Sequence, residues 1–282
     1  MDAPAPLTRQ KSPGIVYAAL RVFDLSFSEM LWSRRTIFMA LVVGLPVLMA
    51  AIIRVLFELG APMIRMNRAE VTGPVIFGLM IWGFFVRFSV PVLAVFYGTS
   101  LVADEVEDKT ITYLFTRPIP RESVLLGKYL AYLACTIFVV LPAVVVVWLL
   151  IVPIRGSLGE SFIDLAKDLG LLAIGLTVYG AVFALVGATF KRPLLFGLMF
   201  VFGWETLTMA LPGNFKRLTV AYYLQGLVPH AMPNDSTLNL LQNLFRESPA
   251  LVESLVSMAV VVVVCLTFAA RAVATKEYVL EQ

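Results

Sequence analysis

The sequence has few of the residues on which soluble enzymes depend. Charged side chains make up only 15% of its 282 residues, and it has two cysteines and a single histidine, His230. Cys135 and Cys265 both lie inside apolar runs, so we expect packing residues rather than a disulfide. His230 has no evident convergent partners, so we expect neither a metal site nor a general base there. A net charge of only +3, without a dense basic run, argues against a nucleic-acid partner.

Apolar residues dominate the composition. They account for 60% of the chain, and the mean hydropathy is +0.88, as in polytopic membrane proteins. A helix needs about 20 mostly apolar residues to cross a bilayer, because its backbone polar groups must be satisfied internally there. The sequence therefore predicts an all-α membrane protein with six transmembrane helices, at roughly Thr36–Phe57, Val75–Ala103, Val124–Val152, Leu169–Phe190, Leu194–Leu211 and Ala250–Ala272.

The segment before the first span predicts a helix on the membrane surface. Val16, Leu20, Phe23, Phe27 and Leu31 recur at helical spacing among polar residues. We therefore expect a cytoplasmic tail over 1–14, an amphipathic interfacial helix over 15–35, a six-span domain over 36–272 and a second cytoplasmic tail over 273–282. Within the six-span domain, a cytoplasmic hairpin occupies 104–123 and an outer loop occupies 213–249.

The distribution of Lys and Arg predicts the orientation. Thirteen of these residues lie on the side that holds both termini and the hairpin 104–123, against eight on the other side. Since Lys and Arg favour the cytoplasmic side, both termini are expected in the cytoplasm. The chain is thus expected to be a multi-pass protein of the cell membrane, in the bacterial inner membrane.

The hairpin 104–123 is the most polar segment between two spans. Val106, Ile111, Leu114 and Phe115 can share one helical face, and acidic residues supply the polar character. This pattern fits a solvated connection between two spans as well as it fits a docking helix.

The dipeptide Gly127–Lys128 does not belong to a phosphate-binding loop. Glu122 stands where the first glycine of such a loop would be, and Tyr129 follows where serine or threonine is required.

A resemblance to a known family rests on residues 98–131, GTSLVADEVEDKTITYLFTRPIPRESVLLGKYLA. They resemble the signature of type-2 ABC exporter permeases, in which a helix ends in a Glu-x-Glu-x-Gly-Thr-like segment, followed by Thr-x-Pro, an Arg and Gly-Lys. Lys109 stands where the family usually has glycine, which leaves the match intact. The matching residues are Glu105, Glu107, Thr110, Thr116, Pro118, Arg121, Gly127 and Lys128.

The resemblance implies the type-2 ABC exporter permease fold and a role for the hairpin. In such exporters, a coupling helix in this loop packs against a separate ATP-binding subunit, which binds ATP and Mg²⁺. This chain would then bind no cofactor and catalyse no reaction, and it would pair with a second permease copy or a paralogue within membrane lipid. The expected coupling residues are Glu105, Val106, Glu107, Thr110, Ile111, Leu114, Phe115, Arg117, Pro118 and Arg121; Gly127 and Lys128 mark the entry of span three.

Two charged residues interrupt the predicted spans. Arg87 lies in span two and Glu205 in span five, each near the middle of its run. Such groups cost about 2.5–3.5 kcal/mol to insert and usually face protein or water. They either pair as a clamp between helices or line the transport path, and the sequence leaves both possibilities open. Pro91 also removes the helical donor to the carbonyl of Arg87, which favours a local kink.

Two other functions compete with an ATP-driven exporter. An intramembrane enzyme would need a catalytic cluster, but the spans contain no His-Glu motif and no grouped carboxylates. A membrane scaffold that recruits a partner through the hairpin, without transport, is compatible with the same pattern.

Overall fold

The computed structural model describes residues 14–60, 72–107, 121–210, 214–228 and 249–275. These ranges contain helices and short connections, and no strand. His230 and residues 229–248 of the expected outer loop lie outside them. Within them, five helices are long and apolar enough to cross a membrane, and a sixth apolar helix, Pro193–Thr208, is shorter. The chain is a multi-pass membrane protein.

The spans are numbered one to six in chain order, and the shorter helix that contains Pro193–Thr208 is counted as span five. Spans two and five are each interrupted by a π-helical stretch. The N-terminal helix is Ile15–Leu31, span one is Arg34–Glu58, and span two consists of Gly73–Met80, the π-helical Ile81–Ser89 and Val90–Glu107. Span three is Arg121–Ile151, span four is Leu158–Thr189, and span five consists of Pro193–Leu198, the π-helical Met199–Glu205 and Thr206–Ala210. The 3₁₀ helix Asn214–Leu218 and the short helix Val220–Gln225 follow, and span six is Leu251–Thr275.

Span four begins earlier than hydropathy predicts. Its helix starts at Leu158 rather than near Leu169. The additional turns carry four charged residues among apolar ones, and Lys167 forms an ion pair of 3.2 Å with Asp164 at the helical spacing i, i+3. A hydropathy criterion misses such turns, because it measures the apolar length and not the length of the helix.

The N-terminal helix and span one meet at a corner rather than in one continuous helix. Ser33 is extended, with φ −80° and ψ 159°, and it separates the two helices. The hydroxyl of Thr36 donates to the carbonyls of Met30 (2.7 Å) and Leu31 (2.9 Å), which have lost their helical donors. Polar side chains at the corner therefore satisfy the end of the first helix.

The N-terminal helix packs against span three along one face. Ala18, Ala19 and Ser26 on this face are buried, whereas Val16 and Leu20 expose apolar surface on another. A helix with a packed face and an exposed apolar face is suited to lie at a membrane surface beside the bundle.

Spans two and four form the most buried part of the bundle, and spans one and six the least. Span three is joined to span four by hydrogen bonds. The hydroxyl of Tyr129 donates to the carbonyl of Thr177 (2.8 Å), and that of Tyr132 donates to the carbonyl of Leu176 (3.0 Å). Cys135 is buried and Cys265 is half-buried, and both are free thiols.

Spans two and four approach most closely at Gly187. A Cβ atom at this position would lie 2.5 Å from the carbonyl oxygen of Thr99, on the backbone of span two. Backbone atoms cannot move aside as a flexible side chain can, so the contact requires glycine.

Replacing this glycine tests the contact. We expect Gly187→Ala to destabilise the protein by about 1–3 kcal/mol through overpacking. The matched control is Gly170→Ala in the same span, since a Cβ there has no heavy atom within 4 Å. Thermal unfolding of the detergent-purified variants should show a lower Tm for Gly187→Ala alone. Equal Tm values for the two variants would show that the close approach is absent.

Candidate functional site

Arg87 lies in the π-helical stretch Ile81–Ser89 of span two and is half-buried. At the end of this stretch, the N–H of Val90 donates to the carbonyl of Phe85, five residues earlier. The following residues explain the change of register, because Pro91 has no N–H to donate to the carbonyl of Arg87 and its ring would clash with that carbonyl. The sequence indicated an irregularity here, and the structure shows a widened π-helical segment.

Glu205 is the last residue of the second π-helical stretch, Met199–Glu205. Its side chain is buried, with 3% of its surface exposed. Each of the two charges expected within the spans therefore lies in a π-helical stretch. Such stretches are rare and often occur at functional sites.

The carboxyl group of Glu205 has several hydrogen-bond donors. The hydroxyl of Tyr179 in span four donates to it, at 2.8 Å from Oε1 and 2.6 Å from Oε2. The backbone N–H groups of Val220 and Ala221 also donate to it. These two residues begin the short helix Val220–Gln225, where N–H groups have no partner within the helix. One buried carboxyl group thus joins span four, span five and the short helix.

Arg87 and Glu205 are neighbours but are not directly bonded. The charge of Arg87 interacts electrostatically with both Glu205 and Tyr179. In the part of the chain that the structure describes, no direct ion pair connects Arg87 to Glu205. The structure therefore brings the two predicted residues together without the direct clamp that their charges suggested.

Tyr179 is the member of this site that the sequence did not indicate. It is fully buried, and its ring is stacked on that of Phe183, with centroids 6.1 Å apart. A tyrosine inside an apolar span carries a hydroxyl that needs a partner. This need of the Tyr179 hydroxyl for a hydrogen-bond partner was the signal available in the sequence, although it does not identify Glu205 as the partner.

Most of the expected coupling residues lie outside the described part of the chain. Glu105, Val106 and Glu107 belong to the last turn of the helix Val90–Glu107, and Arg121 begins span three; only their backbone is described. The others lie within residues 108–120, outside the described ranges: Thr110, Ile111, Leu114, Phe115, Arg117 and Pro118.

Gly127 is the position where the N-terminal helix contacts span three. A Cβ atom at Gly127 would lie 2.6 Å from the carbonyl oxygen of Ala19 and 2.7 Å from Cβ of Val22. Lys128, beside it, is half-buried. The glycine of the expected family motif thus has a packing role near the start of span three.

A cavity of about 330 Å³ lies at the same end of the bundle. Span two contributes Ser100 and Asp104 to its lining, and the turn before span five contributes Lys191 and Arg192. No group of three or more His, Cys, Asp or Glu side chains within the described ranges could hold a metal ion.

The hydrogen bond between Tyr179 and Glu205 can be tested by removing one hydroxyl group. We expect Tyr179→Phe to lower the stability by about 1–3 kcal/mol, because a buried acceptor loses its side-chain donor. Thermal unfolding measures the effect, and Tyr223→Phe in the short helix is the control. In a Glu205→Ala background, Tyr179→Phe should lower the stability by less, because the carboxyl group that accepts this hydrogen bond is already absent. If the two tyrosine variants had the same Tm, the hydroxyl would not hold the carboxyl group.

The comparison with protein families agrees with this architecture. A family model described as ABC-2 family transporter protein matches residues 10–278, nearly the whole chain. No curated protein matches the chain. The resemblance seen in residues 98–131 is thus confirmed at the level of the family. The chain belongs to the ABC-2 family of transporter proteins, as a multi-pass membrane permease.

Proposed function

We propose that the chain is the permease subunit of an ATP-driven exporter, with ATP and Mg²⁺ bound by a separate subunit. Permeases of the ABC-2 family normally work with an ATP-binding subunit. The observation that carries the proposal is the position of the family motif. Its first glutamates end the helix of span two, and its glycine lies where span three contacts the N-terminal helix. A subunit that docks on residues 104–123 would therefore act on three helices at once.

The docking surface consists of the apolar face of the hairpin, Val106, Ile111, Leu114 and Phe115. An apolar helix face that fits a groove provides most of the binding energy in this mode of recognition, and charges at the rim provide specificity. The flanking residues Glu105, Glu107, Thr110, Arg117, Pro118 and Arg121 supply the rim.

We place the docking surface in the cytoplasm, where ATP is available. The excess of Lys and Arg on the side of the termini supports this orientation. The membrane is then the cell membrane, specifically the bacterial inner membrane, and both termini are cytoplasmic.

The path is formed with a second copy of the chain or a paralogue. Span five is compatible with this, because it carries large apolar side chains that its own bundle leaves exposed, as spans one and six also do. Met199, Phe202 and Leu207 are exposed in this way, whereas Glu205 points inwards. A short span with one buried polar face and one exposed apolar face is suited to line an interface between two permeases.

The docking proposal predicts the loss of a partner. We expect Leu114→Asp or Phe115→Asp to reduce the ATP-binding subunit recovered with the tagged chain from native membranes by at least about tenfold, because a buried interface cannot accommodate an unpaired carboxylate. Leu218→Asp is the matched control, since Leu218 is an exposed apolar residue at the opposite end of the bundle. Quantitative mass spectrometry of the purified complexes measures the recovery.

Two outcomes would contradict the docking proposal. One is full recovery of the ATP-binding subunit with both aspartate variants. The other is transport by the purified chain without any ATP-binding subunit, which would also contradict a role as a coupled permease.

For the intramembrane charges, we propose that Glu205 is a structural anchor and that Arg87 faces the path. Glu205 has donors from span four and the short helix, whereas Arg87 is half-buried and has no direct ion pair within the described residues. The surroundings of Glu205 are typical of a packed junction, whereas those of Arg87 leave its guanidinium able to contact another molecule.

A charge exchange distinguishes this assignment from a direct clamp. We expect Glu205→Arg to prevent normal assembly, since it removes an acceptor from a buried junction at a cost of about 3–5 kcal/mol. Adding Arg87→Glu should not restore assembly, because Tyr179 and the short helix would still lack the acceptor for their hydrogen bonds. Size-exclusion chromatography measures the monodisperse yield, and Arg87→Gln is the control that should assemble normally. Restoration in the double variant would establish a direct Arg–Glu pair instead.

A further inference from the structure

An apolar groove runs between the ends of spans four and six, at the end of the bundle where Lys191 and Arg192 lie. Its volume is about 530 Å³. Leu185 of span four and Phe190, directly after that helix, line one side, and Phe268 of span six lines the other. Its described lining residues come from spans four and six and from Phe190, and neither Arg87 nor Glu205 is among them. The proposed function therefore does not account for this groove.

The groove has the length of part of a lipid chain. Its lining extends from Val182 to Thr189 on span four and from Phe268 to Thr275 on span six. Seven residues of helix correspond to about 10 Å at 1.5 Å per residue. One leaflet of hydrocarbon is about 15 Å thick, half of a bilayer core. An acyl chain lying along the two helices would thus be covered over much of its length.

Among the described residues, one charged residue lines the groove, and it is a cation. Arg271 lies four residues before the end of span six and is exposed, and no carboxylate lines the groove within the described ranges. The hydroxyl groups of Thr189 and Thr275 donate to the carbonyls of Leu185 and Arg271 in their own helices. The guanidinium is therefore the group that would recognise a charged ligand, and it would select an anion.

We propose that a phospholipid with an anionic head group binds this groove, with its phosphate against Arg271 and one acyl chain between spans four and six. A guanidinium offers several donors to a phosphate in a fixed geometry. Basic pockets between transmembrane helices bind anionic lipid head groups in this way. A free phosphate would use the arginine alone, whereas a lipid uses both the cation and the apolar groove.

Native mass spectrometry of the full chain tests the proposal. The detergent-purified protein is mixed with phosphatidylglycerol or phosphatidylcholine at the same molar ratio. We expect at least fivefold greater retention of phosphatidylglycerol, reduced to the phosphatidylcholine level by Arg271→Gln and preserved by Arg271→Lys. The control is Arg192→Gln, which removes an exposed cation at the same end but outside the groove. Equal retention of phosphatidylglycerol by Arg271→Gln and the unmodified chain would overturn the proposal.

A second pair of variants tests the apolar part of the site. Thr189→Phe places a bulky ring in the groove, and Thr267→Phe places the same ring on span six outside it. The two threonines are matched, because both are exposed and each donates to a carbonyl of its own helix. We expect only Thr189→Phe to reduce phosphatidylglycerol retention. Unchanged retention in Thr189→Phe would show that the lipid is held by surface charge and not by the groove.

Discussion

The arrangement of this bundle depends on one constraint: a polar group inside the membrane must find its partner within the protein, because lipid offers none. Threonine hydroxyls satisfy this constraint within their own helix: those of Thr99 and Thr136 each donate to the carbonyl four residues earlier. The hydroxyls of Tyr129 and Tyr132 satisfy it by donating to carbonyls of a neighbouring helix, and these bonds join span three to span four. The carboxyl group of Glu205 has a larger requirement than these hydroxyls, and the donors that satisfy it come from span four and the short helix.

These partners connect the helices of the bundle to one another. Spans three and four share two interhelical hydrogen bonds, and span two is pressed against span four where Gly187 admits its backbone. The N-terminal helix is fitted against span three at Gly127 in the same manner. Tightly packed helices transmit displacement because their contacts cannot be compressed. A force applied between spans two and three would thus reach span four and, through Tyr179 and Glu205, the short helix at the opposite end.

The sequence predicted those features that depend on local chemistry. Apolar length revealed the spans, because the thickness of the bilayer sets that length. The same criterion does not register the turns from Leu158 to Asp168, through which the helix of span four extends before Leu169. Pro91 signalled an irregularity near Arg87, but no local signal marked the π-helical stretch that ends at Glu205. The bond between Tyr179 and Glu205 joins residues 26 positions apart, and it requires the packing of two helices to be known.

The different surroundings of the two intramembrane charges bear on what each one does. Inserting an arginine costs about 2.5–3.5 kcal/mol, which a structural role would have to offset through direct bonds. Glu205 has such bonds, with a hydroxyl and two backbone N–H groups. Arg87 interacts with this site only electrostatically, from a half-buried position in span two. This difference supports the proposal that Glu205 anchors a packed junction and that Arg87 faces the path.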